Sequence, residues 1–312
     1  MAMDLFGFLL YNSGNMKTGI WSKADELTGR LREFLGGKLG GEIRLSRISS
    51  YEDRTVFRME GRGSPAFVKV TSNAAAARRA YEYLGRTRLG FVPKARFLLQ
   101  WEGRSVMGMD WMDGRVVFPE DMNERQCSSL LRAHKAVLDE LRGSDCAAPI
   151  DAFALYAEVA GFASRHRFAG RFLRNLVGIS EDERTLSPLT ATVTIGDFHC
   201  MNYAFDGDEI SAFYDFDCIQ LGSPAQDLTY DFIRRFRKSG LSRGAKMENL
   251  KDRFLQMVNA GVYSPDEWRR SVNIFRLENA AKRLKSHPNL GLVVFDVVRR
   301  DRRLERLVRS LP

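Results

Sequence analysis

The amino-acid sequence predicts an α+β fold with two lobes: a small N-terminal lobe built on an antiparallel sheet, and a larger, mainly helical C-terminal lobe. Short segments with strand periodicity dominate the first third of the chain. Apolar residues at helical spacing dominate after about residue 121. We therefore expect the N-terminal lobe to cover residues 1–112 and the C-terminal lobe residues 113–312.

The N-terminal lobe is predicted to begin with a helix and to continue as strands. Leucines at helical spacing predict a helix over residues 22–35, which the glycines at 36, 37, 40 and 41 end. Short strands joined by tight turns then predict an antiparallel meander. An alanine-rich helix over residues 74–84 follows, with Ser72 or Asn73 as its cap. The predicted strands cover residues 42–48, 55–60, 66–70, 95–100 and 105–111.

The C-terminal lobe is predicted from helical patterns that surround one extended region. Helices are expected over residues 124–141 and 152–176, and again from Gln226 onward. Between them, residues 192–195 predict a buried strand end, and residues 203–214 predict a hairpin that turns near Asp206 and Asp208. Ser264, followed by a proline and two acids, predicts the start of a late helix.

Composition limits the classes of function. The 312-residue chain carries a net charge of +9, which favours binding of anions, but it has no uniform basic run and no nucleic-acid-binding motif. Its four cysteines form no C-x-x-C pair and predict reduced thiols in a cytoplasmic protein. No uncharged stretch reaches membrane length, so we expect a soluble protein. The basic segment 299–309 leaves open a peripheral membrane contact.

Acidic and amide side chains in residues 196–217 predict phosphoryl-transfer chemistry. Asp197 and Asn202 have the D-x-x-x-x-N spacing of a kinase catalytic loop. This chemistry needs a carboxylate that orients or deprotonates the attacking hydroxyl, and it needs oxygen ligands for magnesium. Asp197 is therefore the predicted base, and Asn202 is a predicted metal ligand. Asp215 returns at the end of the hairpin as the second predicted metal ligand.

The same stretch resembles the aminoglycoside phosphotransferase and choline kinase group, whose fold is protein-kinase-like. The loop of that family usually reads H-G-D-x-H-x-x-N, and Gly196, Asp197, His199 and Asn202 stand at matching positions. Ile195 replaces the first histidine, which in the family helps to hold the loop but is not the base. The resemblance implies a kinase that uses ATP and Mg²⁺ and acts on a hydroxyl group of a small molecule.

Two downstream motifs extend the resemblance, which covers the chain from about residue 43 to 235. Asp215 and Asp217 stand in the D-F-D context of the family's metal aspartate. Residues 222–228 match the segment G-x-P-x-x-D-L, whose late aspartate, here Asp227, supports the catalytic loop and opens a helix. The resemblance implies supporting roles for Asp217 and His199 as well.

The predicted third strand supplies a lysine for ATP. Lys69 interrupts an apolar strand in the pattern of the kinase V-A-I-K strand, whose lysine contacts the α- and β-phosphates. Kinases pair this lysine with a glutamate on the next helix, and Glu82 is the only acid between Thr71 and Trp101. Two alternatives remain open: Lys69 is a surface lysine on an edge strand, or Glu82 faces solvent beside an arginine such as Arg78.

Three more residues are assigned to nucleotide binding. Ser50 lies in the glycine-poor segment that replaces the phosphate-covering loop of protein kinases. Asp110 and Met112 lie in a segment that resembles the family's hinge, whose backbone holds adenine. Lys69 and the predicted metal-loop side chains are expected to face a common cleft.

Two other functions compete with a small-molecule kinase. Ile195 and the unusual phosphate loop favour a non-catalytic binding or structural relative, such as a spore-coat or envelope-assembly component. A protein kinase is disfavoured because no A-P-E-like element follows the catalytic segment.

Overall fold

The computed structural model describes residues 21–50, 54–61, 63–142, 161, 176, 178, 192–238 and 245–286. The chain divides into two compact units, and neither is continuous in sequence. The first unit consists of Met1–Val117 and Cys200–Asp217, and the second of Phe118–His199 and Cys218–Pro312. A single boundary after residue 112 therefore does not describe segment 200–217, which belongs with the first unit.

A five-stranded antiparallel sheet forms the centre of the first unit. Its strands are β1 (Arg44–Ser50), β2 (Arg54–Glu60), β3 (Ala66–Thr71), β4 (Ala95–Trp101) and β5 (Arg104–Asp110). These bounds agree with the sequence-predicted strands to within two residues at each end. The strand order is β1-β2-β3-β5-β4, so the predicted meander of the first three strands is present and β5 pairs with β3.

Helix α1 (Trp21–Leu39) covers one face of this sheet. Its buried Leu31 and Leu35 belong to the same apolar cluster as Phe57 of β2 and Val68 of β3. Because successive strand residues point to opposite faces, Lys69 lies on the other face. Alternation along β3 thus separates the apolar core from the lysine predicted to bind ATP.

The predicted end of α1 is wrong by four residues. The helix continues through Gly36 and Gly37 and ends only before Gly40, whose φ is +73° and whose amide donates to the Gly36 carbonyl at 3.0 Å. Glycine within a helix costs only about 1 kcal/mol, so packing of the preceding turn outweighs it. The positive φ is what ends the helix.

Replacing Leu35 by alanine is expected to lower the free energy of unfolding by about 2–5 kcal/mol, because the side chain is fully buried and its removal leaves a cavity. Urea unfolding measures this change. Leu39→Ala is the matched control, since Leu39 ends the same helix and is 39% exposed. Equal losses in the two variants would contradict the packing of α1 on the sheet.

A second helix and a hairpin complete the first unit. Helix α2 (Ala74–Arg86) is capped by Asn73, whose side-chain oxygen accepts from the Ala76 amide at 3.0 Å, so Asn73 is the cap rather than Ser72. Strands β7 (Tyr203–Asp206) and β8 (Glu209–Phe213) form the predicted hairpin. Its turn lies at Gly207 and Asp208, as the sequence predicts.

The second unit is mainly helical, as predicted. Its described helices are α3 (Glu124–Arg142), α4 (Gln226–Lys238), α5 (Ala245–Asn259) and α6 (Pro265–Ser286). Phe254 and Trp268 are fully buried in its core, with ring centroids 5.5 Å apart. The predicted serine cap is present, because Ser264 and Glu267 exchange side-chain-to-backbone hydrogen bonds of 2.7 and 3.2 Å.

A two-stranded sheet in the second unit positions the predicted catalytic loop. Strand β6 (Thr192–Thr194) pairs antiparallel with β9 (Gln220–Gly222). Strand β9 was not predicted, because three residues are too few to show a period. The predicted helix 152–176 falls outside the described residues except for positions 161 and 176. Within the described part of the chain, no helix has both the length and the apolar character needed to cross a bilayer.

Candidate active site

Lys69 is held in the first unit by two carboxylates. The residue is buried, with only 5% of its surface exposed. The Nζ atom lies 2.7 Å from Oδ1 of Asp215 and 2.5 Å from Oδ2 of Asp217. The alternative of a surface lysine is therefore wrong. A buried cation with two acidic partners is an arrangement typical of a functional site.

The hairpin brings the two predicted metal ligands together. Tyr203 of β7 pairs with Phe213 of β8, so Asn202 and Tyr214 face each other just beyond the last pair. The Tyr214 amide donates to the Asn202 carbonyl at 2.7 Å, and Asp215 is the next residue. Asn202 is buried. The register of one hairpin thus joins residues that are thirteen positions apart in the sequence.

Asp215 has an unusual backbone conformation, with φ of +61°. A left-handed conformation in a residue other than glycine costs of the order of 1–3 kcal/mol and is often found at functional sites. Phe216, the following residue, is buried and its ring lies 4.8 Å from that of Tyr83 on α2. Asp215 and Asp217 on either side of Phe216 both reach Lys69. The turn at Asp215 and the anchor at Phe216 therefore aim two carboxylates at one ammonium group.

The charged groups in this network shift one another's pKa values. Burial on its own lowers the pKa of Lys69, but Asp215 and Asp217 outweigh it, so this pKa is raised. Burial also raises the pKa of Asp217, against the opposing effect of the Lys69 charge. The Oδ1 atom of Asp217 is buried and has no hydrogen-bond partner among the described residues. Such an atom is one that a bound cation would satisfy.

The available ligands fit magnesium. Asp215, Asp217 and Asn202 offer carboxylate and amide oxygens, which hard cations prefer. The described residues contain no cluster of three or more His, Cys, Asp or Glu side chains able to hold a metal. Magnesium does not require one, because it is usually bound by one or two carboxylates together with substrate phosphates and water.

The predicted ion pair between Lys69 and Glu82 is not the arrangement in this structure. The Glu82 carboxylate accepts from Nε of Arg78 at 3.0 Å, one turn away on the exposed surface of α2. The solvent-facing alternative is therefore the observed one. Lys69 instead pairs with Asp215 and Asp217, which follow strand β8 of the hairpin. These two residues carry two negative charges, whereas α2 has a single acidic residue, Glu82.

The predicted role of the Ser50 hydroxyl also needs correction. Ser50 pairs with Thr55 across β1 and β2, and the two hydroxyl oxygens lie 3.1 Å apart. Thr55 pairs in turn with Val70, on the face of the sheet opposite Lys69. The strand register therefore places the Ser50 hydroxyl on the face of the sheet opposite Lys69, and not toward a phosphate that Lys69 would hold. Only its backbone amide keeps the predicted role.

The hinge residues already have protein partners. The Asp110 amide donates to the Lys94 carbonyl at 2.9 Å, and the Asp110 carboxylate accepts from Arg96 at 2.7 Å. The Met112 carbonyl accepts from the Tyr214 hydroxyl. Their contacts with adenine stay a prediction.

In the second unit, Asp227 supports the loop that carries Asp197. Its carboxylate accepts from the Ile195 amide at 2.9 Å and from the Gly196 amide at 3.0 Å. Asp227 is buried at the start of α4. These contacts are the ones that its predicted supporting role needs. Asp197, two residues beyond Ile195, keeps a partly exposed carboxylate.

His199 lies close to the predicted base. Its Nε2 atom is 3.9 Å from Oδ2 of Asp197, which is too long for a hydrogen bond. The bracing role predicted for His199 in this loop stays a prediction.

Gly196 is required by the geometry of this loop. Its φ is +96°, and a Cβ atom at this position would lie 1.9 Å from the Cys218 carbonyl oxygen. We expect Gly196→Ala to lower the free energy of unfolding by more than the roughly 1–3 kcal/mol of backbone strain alone. Gly207→Ala is the control, since Gly207 also has positive φ but open space around it. Equal losses on urea unfolding would show that the close approach costs nothing.

A family model described as "APH: Phosphotransferase enzyme family" matches residues 44–243. This match covers more than half of the chain. The chain belongs to the phosphotransferase enzyme family. The predicted family is thereby confirmed, and membership supports a kinase-type enzyme. A search of curated proteins finds no match.

Solved structures of aminoglycoside phosphotransferases share the fold of this family member. APH(4)-Ia is 15% identical with a TM-score of 0.58, covering 90% of this chain and 98% of its own. APH(3'')-Id from Streptomyces rimosus is 16% identical with a TM-score of 0.52, covering 80% of this chain and 98% of its own. APH(2'')-Ib, solved with ADP, is 15% identical with a TM-score of 0.55, covering 86% and 96%. The predicted fold class is confirmed.

Sequence reasoning missed a buried histidine in this phosphotransferase. His134 of α3 shares a 3.1 Å hydrogen bond with Asp227 and a 2.8 Å hydrogen bond with the Tyr263 hydroxyl. It is fully buried. A signal was present, because His134 interrupts the apolar stripe of its helix between Leu131 and Val137. A polar residue in such a stripe needs a buried partner.

Arg54 was also missed. Its Nη1 atom lies 3.2 Å from Oδ2 of Asp215, the carboxylate whose other oxygen contacts Lys69. No local pattern singles it out, since β2 carries a second arginine, Arg58, and only the tertiary contact distinguishes them.

Proposed function

We propose that this protein transfers the terminal phosphate of ATP to a hydroxyl group of a small molecule, with magnesium as cofactor. The buried network of Lys69, Asp215 and Asp217 carries this proposal, because it concentrates one cation and two oxygen ligands where phosphates and a metal are handled together. Structures of APH(4)-Ia hold ADP or AMP-PNP together with hygromycin B, which supports the binding of a nucleotide together with a small molecule.

Each residue has a chemical task in this proposal. Asp197 accepts the proton of the attacking hydroxyl and orients its oxygen toward the terminal phosphate. Lys69 binds phosphate oxygens and so exchanges one set of anionic partners for another. Asn202, Asp215 and Asp217 would hold magnesium, which neutralises charge on the phosphates. Asp227 keeps the Asp197 loop in place through the Ile195 and Gly196 amides.

The non-catalytic alternative has one observation in its favour. Glu82 pairs with Arg78 and not with Lys69, so the ion pair that marks an assembled kinase site is missing among the described contacts. The acids that hold Lys69 argue against this alternative, because a binding module does not need to retain buried metal ligands.

Two measurements separate these functions. Saturating Mg-ATP is expected to raise the melting temperature, since a ligand at 100 times its Kd stabilises the folded state by about 2.7 kcal/mol. ATP consumption is then screened against hydroxylated acceptors, including aminoglycosides, choline, amino acids and sugars. Stabilisation without turnover on any acceptor would favour the binding module. Absence of stabilisation by Mg-ATP would contradict both nucleotide binding and the kinase proposal.

A further inference from the structure

We propose that Arg54 is a further nucleotide-binding residue, whose guanidinium group binds the phosphates of ATP in place of a glycine-rich phosphate loop. The inference rests on the proposed function and adds a residue to it.

The strand register places Arg54 beside Lys69. Arg54 pairs with Thr71, and Val56 pairs with Lys69, so all four side chains lie on the same face of the sheet. That face is opposite the apolar cluster beneath α1. Arg54 therefore projects where phosphates held by Lys69 would lie.

Two cations share one carboxylate in the observed state. Asp215 Oδ1 contacts Lys69 at 2.7 Å, and Oδ2 contacts Arg54 at 3.2 Å. When Asp215 is used to bind a metal, both cations need new anionic partners. The phosphates of a nucleotide are the anions that the proposed reaction brings to this site.

The charge balance agrees with this exchange. Lys69 and Arg54 carry two positive charges, which Asp215 and Asp217 balance in the observed network. A divalent cation bound by Asp215 and Asp217 would neutralise both carboxylates. The positive charges of Lys69 and Arg54 would then no longer be balanced by these acids. The phosphates of a nucleotide supply negative charge that balances both basic groups. The need is greatest at Lys69, because a buried uncompensated charge is strongly unfavourable, whereas the Arg54 side chain is 28% exposed.

The local sequence explains why a side chain is needed. Glycine-rich loops bind phosphate through backbone amides that approach closely. Residues 49–54, which include the end of β1, the connection and the first residue of β2, contain no glycine. An arginine at the start of β2 supplies instead a planar group whose N–H donors match phosphate oxygens in pairs. Side-chain donors on a strand thus replace backbone donors in a loop.

The test measures binding of ATP, ADP and adenosine by calorimetry to wild-type protein, Arg54→Met and Arg54→Lys. We expect Arg54→Met to weaken ATP and ADP about 10- to 100-fold, the range for a hydrogen bond to a charged group, and to leave adenosine unchanged. Arg54→Lys is expected to recover part of the lost affinity, because lysine keeps the positive charge but lacks the paired N–H donors of the guanidinium group. Arg104→Met is the control, since Arg104 is exposed on β5 and pairs with Trp101 at the sheet edge.

A second comparison separates direct binding from an effect through Asp215. Arg54→Met is repeated in an Asp215→Asn background, without divalent cations, where Arg54 no longer anchors the Asp215 carboxylate. A further loss of ATP affinity there supports direct contact, whereas no further loss overturns it. Equal losses for ATP and adenosine would also overturn it in favour of a structural role. Wild-type protein that binds ATP only as tightly as Arg54→Met refutes only this inference, while wild-type protein that binds no ATP refutes the proposed function itself.

Discussion

Asp197→Asn is expected to lower kcat by about 10²- to 10⁴-fold, the contribution typical of general base catalysis. Asparagine keeps the size and the hydrogen-bonding capacity of the side chain but does not accept a proton from the acceptor hydroxyl. The Asp197 carboxylate is 31% exposed, and the loop that carries it is held by Asp227 through backbone amides. The fold and the nucleotide affinity are therefore expected to persist.

The measurement compares kcat and the Kd of Mg-ATP for wild-type and variant protein, using whichever acceptor supports turnover. Asp206→Asn is the control, because Asp206 is an exposed aspartate at the end of β7. A variant with unchanged kcat would rule out Asp197 as the base. A parallel loss of Mg-ATP binding would instead assign Asp197 to the nucleotide site.

Lys69→Met is expected to affect stability and nucleotide binding together. The substitution removes the buried ammonium group that Asp215 and Asp217 share, while Asp215 keeps its ion pair with Arg54. Breaking a buried ion pair from one side typically costs about 3–5 kcal/mol, because a charge is left uncompensated. Affinity for Mg-ATP is expected to fall as well, since the phosphates lose a cation.

The direction in which stability changes with pH tests whether an uncompensated charge causes the stability loss of Lys69→Met. The pKa of Asp217 is already raised by burial, and removal of Lys69 is expected to raise it further. A carboxyl group whose pKa is higher in the folded state binds protons preferentially there, so stability increases as the pH falls through that pKa. The deficit of Lys69→Met should therefore shrink in mildly acidic solution.

The control for this second prediction is the double variant Lys69→Met with Asp217→Asn. Asp217→Asn removes a carboxylate that has lost its contact with Lys69, and it is expected to restore part of the lost stability, but not the affinity for Mg-ATP. Urea unfolding at neutral and mildly acidic pH measures the first effect, and calorimetry the second. A double variant less stable than Lys69→Met would mean that lost packing, and not an uncompensated charge, causes the deficit.

Local patterns predicted most of the secondary structure. The strands of the five-stranded sheet alternate or carry apolar runs, and glycine or proline marks the turns from β2 to β3 and from β4 to β5. The cap at Ser264 has its own chemical signature, and the structure contains it. The errors occurred where packing overrides local preference, as at Gly36 and Gly37 in α1, or where an element is too short to show a period, as in β9.

The partners of the site residues were harder to predict. Glu82 was the only acid within reach in the sequence around Lys69, yet the structure pairs it with Arg78. A helix residue has neighbours one turn away whatever the tertiary fold is, and a surface ion pair forms there easily. Asp215 and Asp217 reach Lys69 across about 146 positions of chain, and no local pattern encodes that contact.

The sequence by itself determined the chemical inventory and the order of elements: the lysine in an apolar strand, the spacing of Asp197 and Asn202, and the hairpin that returns to Asp215. Only the tertiary structure decided which charged groups meet. In the folded chain, strand register places Ser50 on the face of the sheet opposite Lys69. Arg54 forms an ion pair with Asp215, and the buried His134 is hydrogen-bonded to Asp227. The physical reason is that periodicity depends on neighbours along the chain, whereas an ion pair depends on register and on contacts between distant segments.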